Sequence, residues 1–252
     1  MTKKSEVIVS TEGEKALLEA LLGILKCECE PMSSVIIVPG RDVKKGAKRP
    51  DFIMASSKGL FVIESKYWRG QTYIEACNSN CPVSHSLKHL KNFDIKEYLN
   101  DCMTNVKITN IQNRKEDSEY QLRFVGDSPL WQVKTYSMAL IEKYKEYKGQ
   151  EGLYFNSILV FHSAPNCGYK IYFDDKLLSG FRKLSKEDTS YTVGVVTQAD
   201  FVNFHKNLPC KNLPIDIKNL EIAVNKMTKT EAMVLNKADV EVDILIDQPV
   251  KG

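Results

Sequence analysis

The stretch from Asp51 to Lys66 constrains this chain most. Two apolar runs, Asp51 to Ala55 and Leu60 to Ser65, flank the turn-forming segment Ser56-Ser57-Lys58-Gly59, which is the pattern of a β-hairpin. If the turn is centred between Ser57 and Lys58, Ala55 faces Leu60 and Asp51 faces Glu64. Directly opposed residues hold their Cβ atoms about 4.5–5.5 Å apart, and like charges so placed destabilise a sheet. A carboxylate pair at that spacing needs a proton or a cation between its members. A hard cation such as Mg²⁺ takes oxygen ligands, often one or two carboxylates completed by water and phosphate. Side chains two apart share a face, so Lys66 joins Glu64 and Asp51. Leu60-Phe61-Val62-Ile63 is apolar on both faces and reads as a central strand. A Glu and a Lys at the end of such a strand are costly unless paired or engaged in chemistry. The plainer alternative is a surface salt-bridge trio at a sheet edge.

The rest of the chain supplies the layers around that hairpin. After Thr11-Glu12-Gly13-Glu14, Leu17, Leu18, Leu21, Leu22 and Leu25 recur at helical spacing. Glu14 falls on the same apolar stripe, which should face the sheet. Thr11-x-x-Glu14 is also a capping box, with Glu14 reaching back to the Thr11 amide, and the spacing alone favours the cap. Val35–Val38 and Gln71–Ile74 read as strands. Residues 76–127 break the rhythm and read as an insertion carrying a helix near Ser84 to Met103. Ser128-Pro129 opens a further helix, with Ser as N-cap and Pro at its first position, running to about Tyr147. Ser157–His162, Tyr169–Phe173 and Tyr191–Thr197 are strand candidates, and Gln198–Asn207 is a short helix. Near the end, Val240, Val242, Ile244 and Ile246 alternate with acidic residues, a pattern for a sheet edge or a dimer contact. The order predicts an α/β domain over residues 1–210 around a mixed sheet, with an extension at 211–252.

Charge and cysteine usage narrow the setting. The net charge is only +3, but Arg41, Lys44, Lys45, Lys48 and Arg49 fall in one short stretch. Such a run is usually a solvated loop; its place beside Asp51 tilts it toward phosphate contacts. The seven cysteines and the lack of an apolar leader behind Met1 predict reduced thiols in the cytoplasm. No apolar run reaches the roughly 18 residues that cross a bilayer, so no membrane contact is expected. Cys77, Cys81, His85 and His89 stand four apart and could hold a structural Zn²⁺. Their spacing matches no common zinc finger, Pro82 interrupts a continuous helix, and ordinary thiols and polar histidines are the expected reading.

The strings around the hairpin add a resemblance. Pro50-Asp51 followed by Glu64-Ser65-Lys66 resembles the PD-(D/E)xK nuclease signature. Gly13-Glu14, the string from Gly59 through Trp68 to Gly70, and Ser128-Pro129-Leu130-Trp131-Gln132 resemble elements of the NERD (nuclease-related) domain. In the last of these Ser replaces the family's Asn. The likeness extends over roughly residues 10–208, leaving out the insertion. It implies a restriction-endonuclease-like core, in which helices flank a central mixed β-sheet. It also implies a Mg²⁺- or Mn²⁺-dependent nuclease acting on DNA. Carried onto these residues, it makes Asp51 and Glu64 metal ligands, with the Ser65 carbonyl as a third. Lys66 would activate water and stabilise charge, and Glu14 would be an outer ligand. Gln132 would hold the site together or touch the nucleic-acid backbone; its alternative is an ordinary helix-surface amide. Trp68 is expected to be a core or rim aromatic. The competing functions are a catalytically inactive DNA- or protein-binding module of the same fold and an RNA nuclease. Many nucleases of this fold form homodimers, and the sequence is silent on that here.

Overall fold

The computed structural model describes residues 5–27, 33–38, 49–68, 70–76, 93–99, 106–113, 121–127, 129–145, 155–162, 170–173, 191–208, 210, 215–237 and 241–247. Its central feature is a six-stranded mixed sheet. The strands are β2 (Ser34–Ile37), β3 (Phe52–Ser56), β4 (Gly59–Lys66), β9 (Phe155–Phe161), β11 (Tyr191–Thr197) and β12 (Met233–Asn236), in the order β11-β9-β4-β3-β2-β12. The hairpin closes in the expected register, Ala55 opposite Leu60 and Phe52 opposite Ile63. β4 then runs parallel to β9, which runs parallel to β11. The first six residues of β4 are all buried, as a strand covered on both faces requires.

Alternation along β4 separates two apolar layers. Phe61 and Ile63 face helix α1 (Glu12–Lys26), whose Leu17, Leu18, Leu21, Leu22 and Leu25 are buried against them together with Phe201 of α3 (Gln198–Asn207). Leu60 and Val62 face helix α2 (Pro129–Tyr144) through Leu130, Val133 and Leu140. Each such fully buried aliphatic side chain contributes about 1.5–3 kcal/mol. Ser137 of α2 meets Ser157 of β9 at 2.6 Å inside this layer, satisfying two buried hydroxyls and fixing the helix along the strand.

The hairpin tip is clasped at the other end of the sheet. Ser56 Oγ and His205 Nε2 lie 2.9 Å apart, both buried. Lys58 Nζ donates to the carbonyls of Lys206 and Leu208 at 2.8 and 2.9 Å, satisfying acceptors at the end of α3.

Residues after 210 contribute directly to these layers. Helix α4 (Ile217–Thr228) sets Leu220, Ala223, Val224 and Met227 into the α2 layer, and β12 extends the sheet beyond β2. Tyr144 donates to the Asp216 carbonyl at 3.2 Å, joining the end of α2 to the start of α4. Neither α4 nor β12 was expected from the sequence. The alternating run forms β13 (Val242–Ile246), which pairs in parallel with β1 (Ser5–Val9) as a separate two-stranded sheet instead of an edge of the main one.

The region read as an insertion differs most from expectation. β5 (Gln71–Ala76), β6 (Phe93–Leu99), β7 (Val106–Asn113), β8 (Gln121–Asp127) and β10 (Lys170–Phe173) form a five-stranded sheet in the order β10-β5-β7-β6-β8. The helix expected near Ser84 to Met103 is therefore wrong across Phe93–Leu99, and the remainder of that range lies outside the described residues. The physical reason is strand pairing: Phe-Asp-Ile-Lys has period two, and β7 and β8 satisfy the backbone on either side. Ile108 of β7 is buried in the α2 layer, so this second sheet shares the main core. No described helix is long and apolar enough to cross a membrane.

Candidate active site

The sheet ends where the charged residues begin. β3 starts at Phe52, so Asp51 stands just outside the ladder, with Pro50 before it removing a backbone donor. Asp51 Oδ2 turns instead onto the Ser65 amide at 2.7 Å. In an extended strand a residue's N–H and C=O leave by the same edge, so the Ser65 carbonyl shares this edge with Asp51. Glu64 and Lys66 continue the alternation that faces α2, as the period-two reading required, and Asp51 joins them from outside the ladder.

Glu64 is 4% exposed at the end of the central strand. Its Oε1 accepts from Lys66 Nζ at 2.6 Å and from Gln132 Nε2 at 3.0 Å. The Gln132 Oε1 accepts from Lys66 Nζ at 3.1 Å, and its Nε2 also donates to the Tyr136 hydroxyl at 2.7 Å. Gln132 is therefore no helix-surface amide; it bridges the acid, the ammonium and a phenol. Glu64 Oε2 is buried with no hydrogen-bond partner among the described residues. An unsatisfied buried carboxylate oxygen is costly, which marks it as a position built for something further.

Glu14 approaches from the α1 side. Its amide donates to Thr11 Oγ1 at 3.1 Å, and its Oε2 accepts from the Ser10 amide at 2.8 Å. The cap is real, but it reaches the amide before Thr11 and not that of Thr11 itself. The same carboxylate is near enough that its charge raises the pKa of both Asp51 and Glu64. The first turn of α1 is held close by Tyr67, whose Cβ would lie 3.1 Å and whose ring 3.2 Å from a Cβ added at Gly13. Gln198 ties that turn to β9, donating to the Ala16 carbonyl at 2.8 Å and meeting His162 Nδ1 at 2.6 Å.

The electrostatics follow from this crowding. Burial holds the Asp51 carboxyl well above the usual carboxylate range, and the Glu64 and Glu14 charges push it further, against the Ser65 amide and Lys66. Glu64 is likewise raised by burial, with Lys66 and Arg49 opposing and Glu14 reinforcing. Tyr136 is raised chiefly by burial, although the Gln132 hydrogen bond opposes it.

These donors fit a hard divalent cation. Two carboxylates, one of them with an orphaned oxygen, and a main-chain carbonyl on the same edge provide oxygens only. No three His, Cys, Asp or Glu side chains among the described residues are gathered into a cage of their own.

Of the basic stretch, Arg49 is described: its Nε donates to the Val38 carbonyl at 3.0 Å. Arg41, Lys44, Lys45 and Lys48 lie outside the described residues, as do Cys77, Cys81, His85, His89 and the N-cap Ser128. Trp68 packs edge-on against Phe161 at the rim of the α2 layer, the role expected for it. Tyr136 was missed. It stands one turn after Gln132, on the same helix face, and that spacing was the signal available.

The fold and this arrangement define an α/β protein with a restriction-endonuclease-like core. Residues 10–100 match the family model of the nuclease-related domain (NERD). The match takes in Glu14, Asp51, Glu64 and Lys66 and stops before Gln132. No curated protein and no solved structure matches the chain.

Proposed function

We propose that this protein is a divalent-metal-dependent nuclease of the PD-(D/E)xK type that hydrolyses DNA phosphodiester bonds. The observation carrying this reading is the joined set at the end of β4: Asp51 beside Glu64, and Glu64 held by both Lys66 and Gln132. Asp51, Glu64 and the Ser65 carbonyl would hold Mg²⁺ or Mn²⁺, with Glu14 positioning its water from the α1 side. A cation bound there polarises a phosphoryl oxygen and lowers the pKa of water. Lys66 orients the attacking water and meets charge developing on the phosphate. Gln132 fixes Lys66 and Glu64 relative to one another. Water adds its oxygen to phosphorus, the phosphodiester P–O bond breaks, and the products are a phosphate monoester and an alcohol.

The test is cleavage of linear duplex, supercoiled plasmid, single-stranded DNA and RNA in Mg²⁺, Mn²⁺ or EDTA, with wild type beside Asp51→Ala and Lys66→Ala. Metal-dependent cutting of DNA lost in both variants is the expected result. Cutting confined to RNA would move the substrate. Binding without cutting on every substrate would replace the enzyme with a binding module, and cutting that survives both substitutions would displace the site.

A further inference from the structure

We propose that the Tyr136 hydroxyl and the Arg49 guanidinium together bind a non-bridging oxygen of the target phosphodiester, beside the Asp51–Glu64 pair. This rests on the nuclease reading for the identity of the phosphodiester, and on its own geometry for the two residues.

The polarity of the hydrogen-bond chain assigns the tyrosine. The Lys66 ammonium can only donate, so the Gln132 atom 3.1 Å from it is the carbonyl oxygen. The Gln132 NH₂ therefore faces Glu64 and Tyr136, and an amide NH₂ can only donate. The Tyr136 oxygen accepts that bond, so its own proton points elsewhere. No described residue takes it. Burial raises the Tyr136 pKa, which keeps the proton in place for donation.

Arg49 is set by a different contact. Its Nε is committed to the Val38 carbonyl at 3.0 Å, which fixes the guanidinium plane. Its two Nη groups have no partner among the described residues. Arg49 precedes Asp51 by two positions, and its charge is felt by both Glu64 and Tyr136, so the guanidinium lies within electrostatic reach of the site. A guanidinium fork matches phosphate oxygens, and a pre-oriented one loses less freedom on binding. Lys66 is already engaged by Glu64 and Gln132. A phosphate arriving at the carboxylates thus meets two donors that the described residues leave unused, one neutral and one cationic.

The experiment joins binding and cleavage. Wild type, Tyr136→Phe, Arg49→Ala, Arg49→Lys and Asp51→Ala are compared on a fluorescein-labelled DNA duplex, first by anisotropy in Ca²⁺ across a salt series. Cleavage then follows in Mg²⁺ with phosphate and with each phosphorothioate diastereomer, and thermal melting certifies that each variant is folded. Tyr136→Phe is expected to lower kcat/KM roughly tenfold to a hundredfold, the range for losing a hydrogen bond to a charged group. The sulfur penalty seen for one diastereomer with wild type should shrink in that variant, an effect that mere loosening of Gln132 does not produce. Arg49→Ala should reduce the salt slope of binding by about one, and Arg49→Lys should recover the slope but only part of the rate. If wild type cuts, Asp51→Ala is dead, and Tyr136→Phe and Arg49→Ala stay within about twofold of wild type, this inference falls and the nuclease reading stands. If wild type binds without cutting and both substitutions still weaken binding, the phosphate seat stands and the nuclease reading falls.

Discussion

Replacing Asp51 with asparagine should stabilise the metal-free protein while destroying its activity. Asparagine retains an oxygen for the Ser65 amide, now met at 2.7 Å, so the anchoring bond survives. It removes a charge that burial opposes and that Glu64 and Glu14 repel. Because the folded-state pKa of Asp51 is raised, its contribution favours the fold fully below the unfolded pKa near 3.8 and is lost as pH rises through the folded value. The advantage of Asp51→Asn should therefore be absent near pH 4, grow with rising pH, and level off once the folded carboxyl has ionised. Each pKa unit of elevation corresponds to about 1.4 kcal/mol, or roughly 3–6 °C in Tm for a domain of this size. Calorimetry in EDTA at pH 4, 6 and 8 reads the gap directly. Adding Mg²⁺ should raise the wild-type Tm, by about 2.7 kcal/mol of stabilisation at a hundred times Kd, and leave the variant nearly unmoved. If Asp51→Asn melts at or below wild type at pH 8 without metal, the carboxylates are not held in opposition and the electrostatic reading of the site is wrong.

Other expectations separate the roles that overlap at this site. Thr11→Ala removes the oxygen that caps the Glu14 amide and should cost about 1 kcal/mol with cleavage largely kept; Glu14→Gln preserves an acceptor for the Ser10 amide and should cost activity more than stability. If cleavage simply follows Tm in both, the Glu14 charge has no part in the chemistry. Gln132→Leu leaves Glu64 Oε1 and the Tyr136 hydroxyl each one partner short and should destabilise by about 1–3 kcal/mol in urea titrations, with activity lost. Gly70→Ala should destabilise by roughly 2–4 kcal/mol, because φ is +89° and a Cβ would lie 2.0 Å from the Ile111 carbonyl oxygen; a urea midpoint unchanged from wild type would contradict that close approach.

The parts of the molecule that the sequence made legible are those governed by neighbours in the chain. Ser56-Ser57-Lys58-Gly59 closes a tight turn, and once its centre is placed the register out to Phe52 and Ile63 follows by counting. The leucines of α1 repeat at the helical period and are all buried. What was missed depends on partners far away. β6 is a strand because β7 and β8 flank it, and its own pattern is blurred where the register with β8 shifts between Glu97 and Leu99. Helix α4 did carry a readable period in Leu220, Ala223, Val224 and Met227, with Asp216 as N-cap accepting the Asn219 amide at 3.0 Å. It passed unread among lysines and asparagines. At the site, the acid–acid–lysine face followed from strand alternation, whereas Tyr136 and the Val38 anchor of Arg49 depend on how α2 and the Arg49 segment meet the sheet.

The pairing of Ser5–Val9 with Val242–Ile246 bears on the order of assembly. It closes nearly the whole chain into one loop, and such long-range contacts are among the slowest to form. The Asp247 amide donates to the Val9 carbonyl at 2.7 Å, and the next amide along, that of Ser10, is the one Glu14 accepts. Glu14 is thus seated beside the strand pair that closes the chain. Opening of this pair would uncover Val7 and Val9, which are buried in the α1 layer, and hydrogen exchange at Val9 and Ser10 would report it. On the proposed nuclease reading, the site is complete only once Ser5–Val9 and Val242–Ile246 have paired.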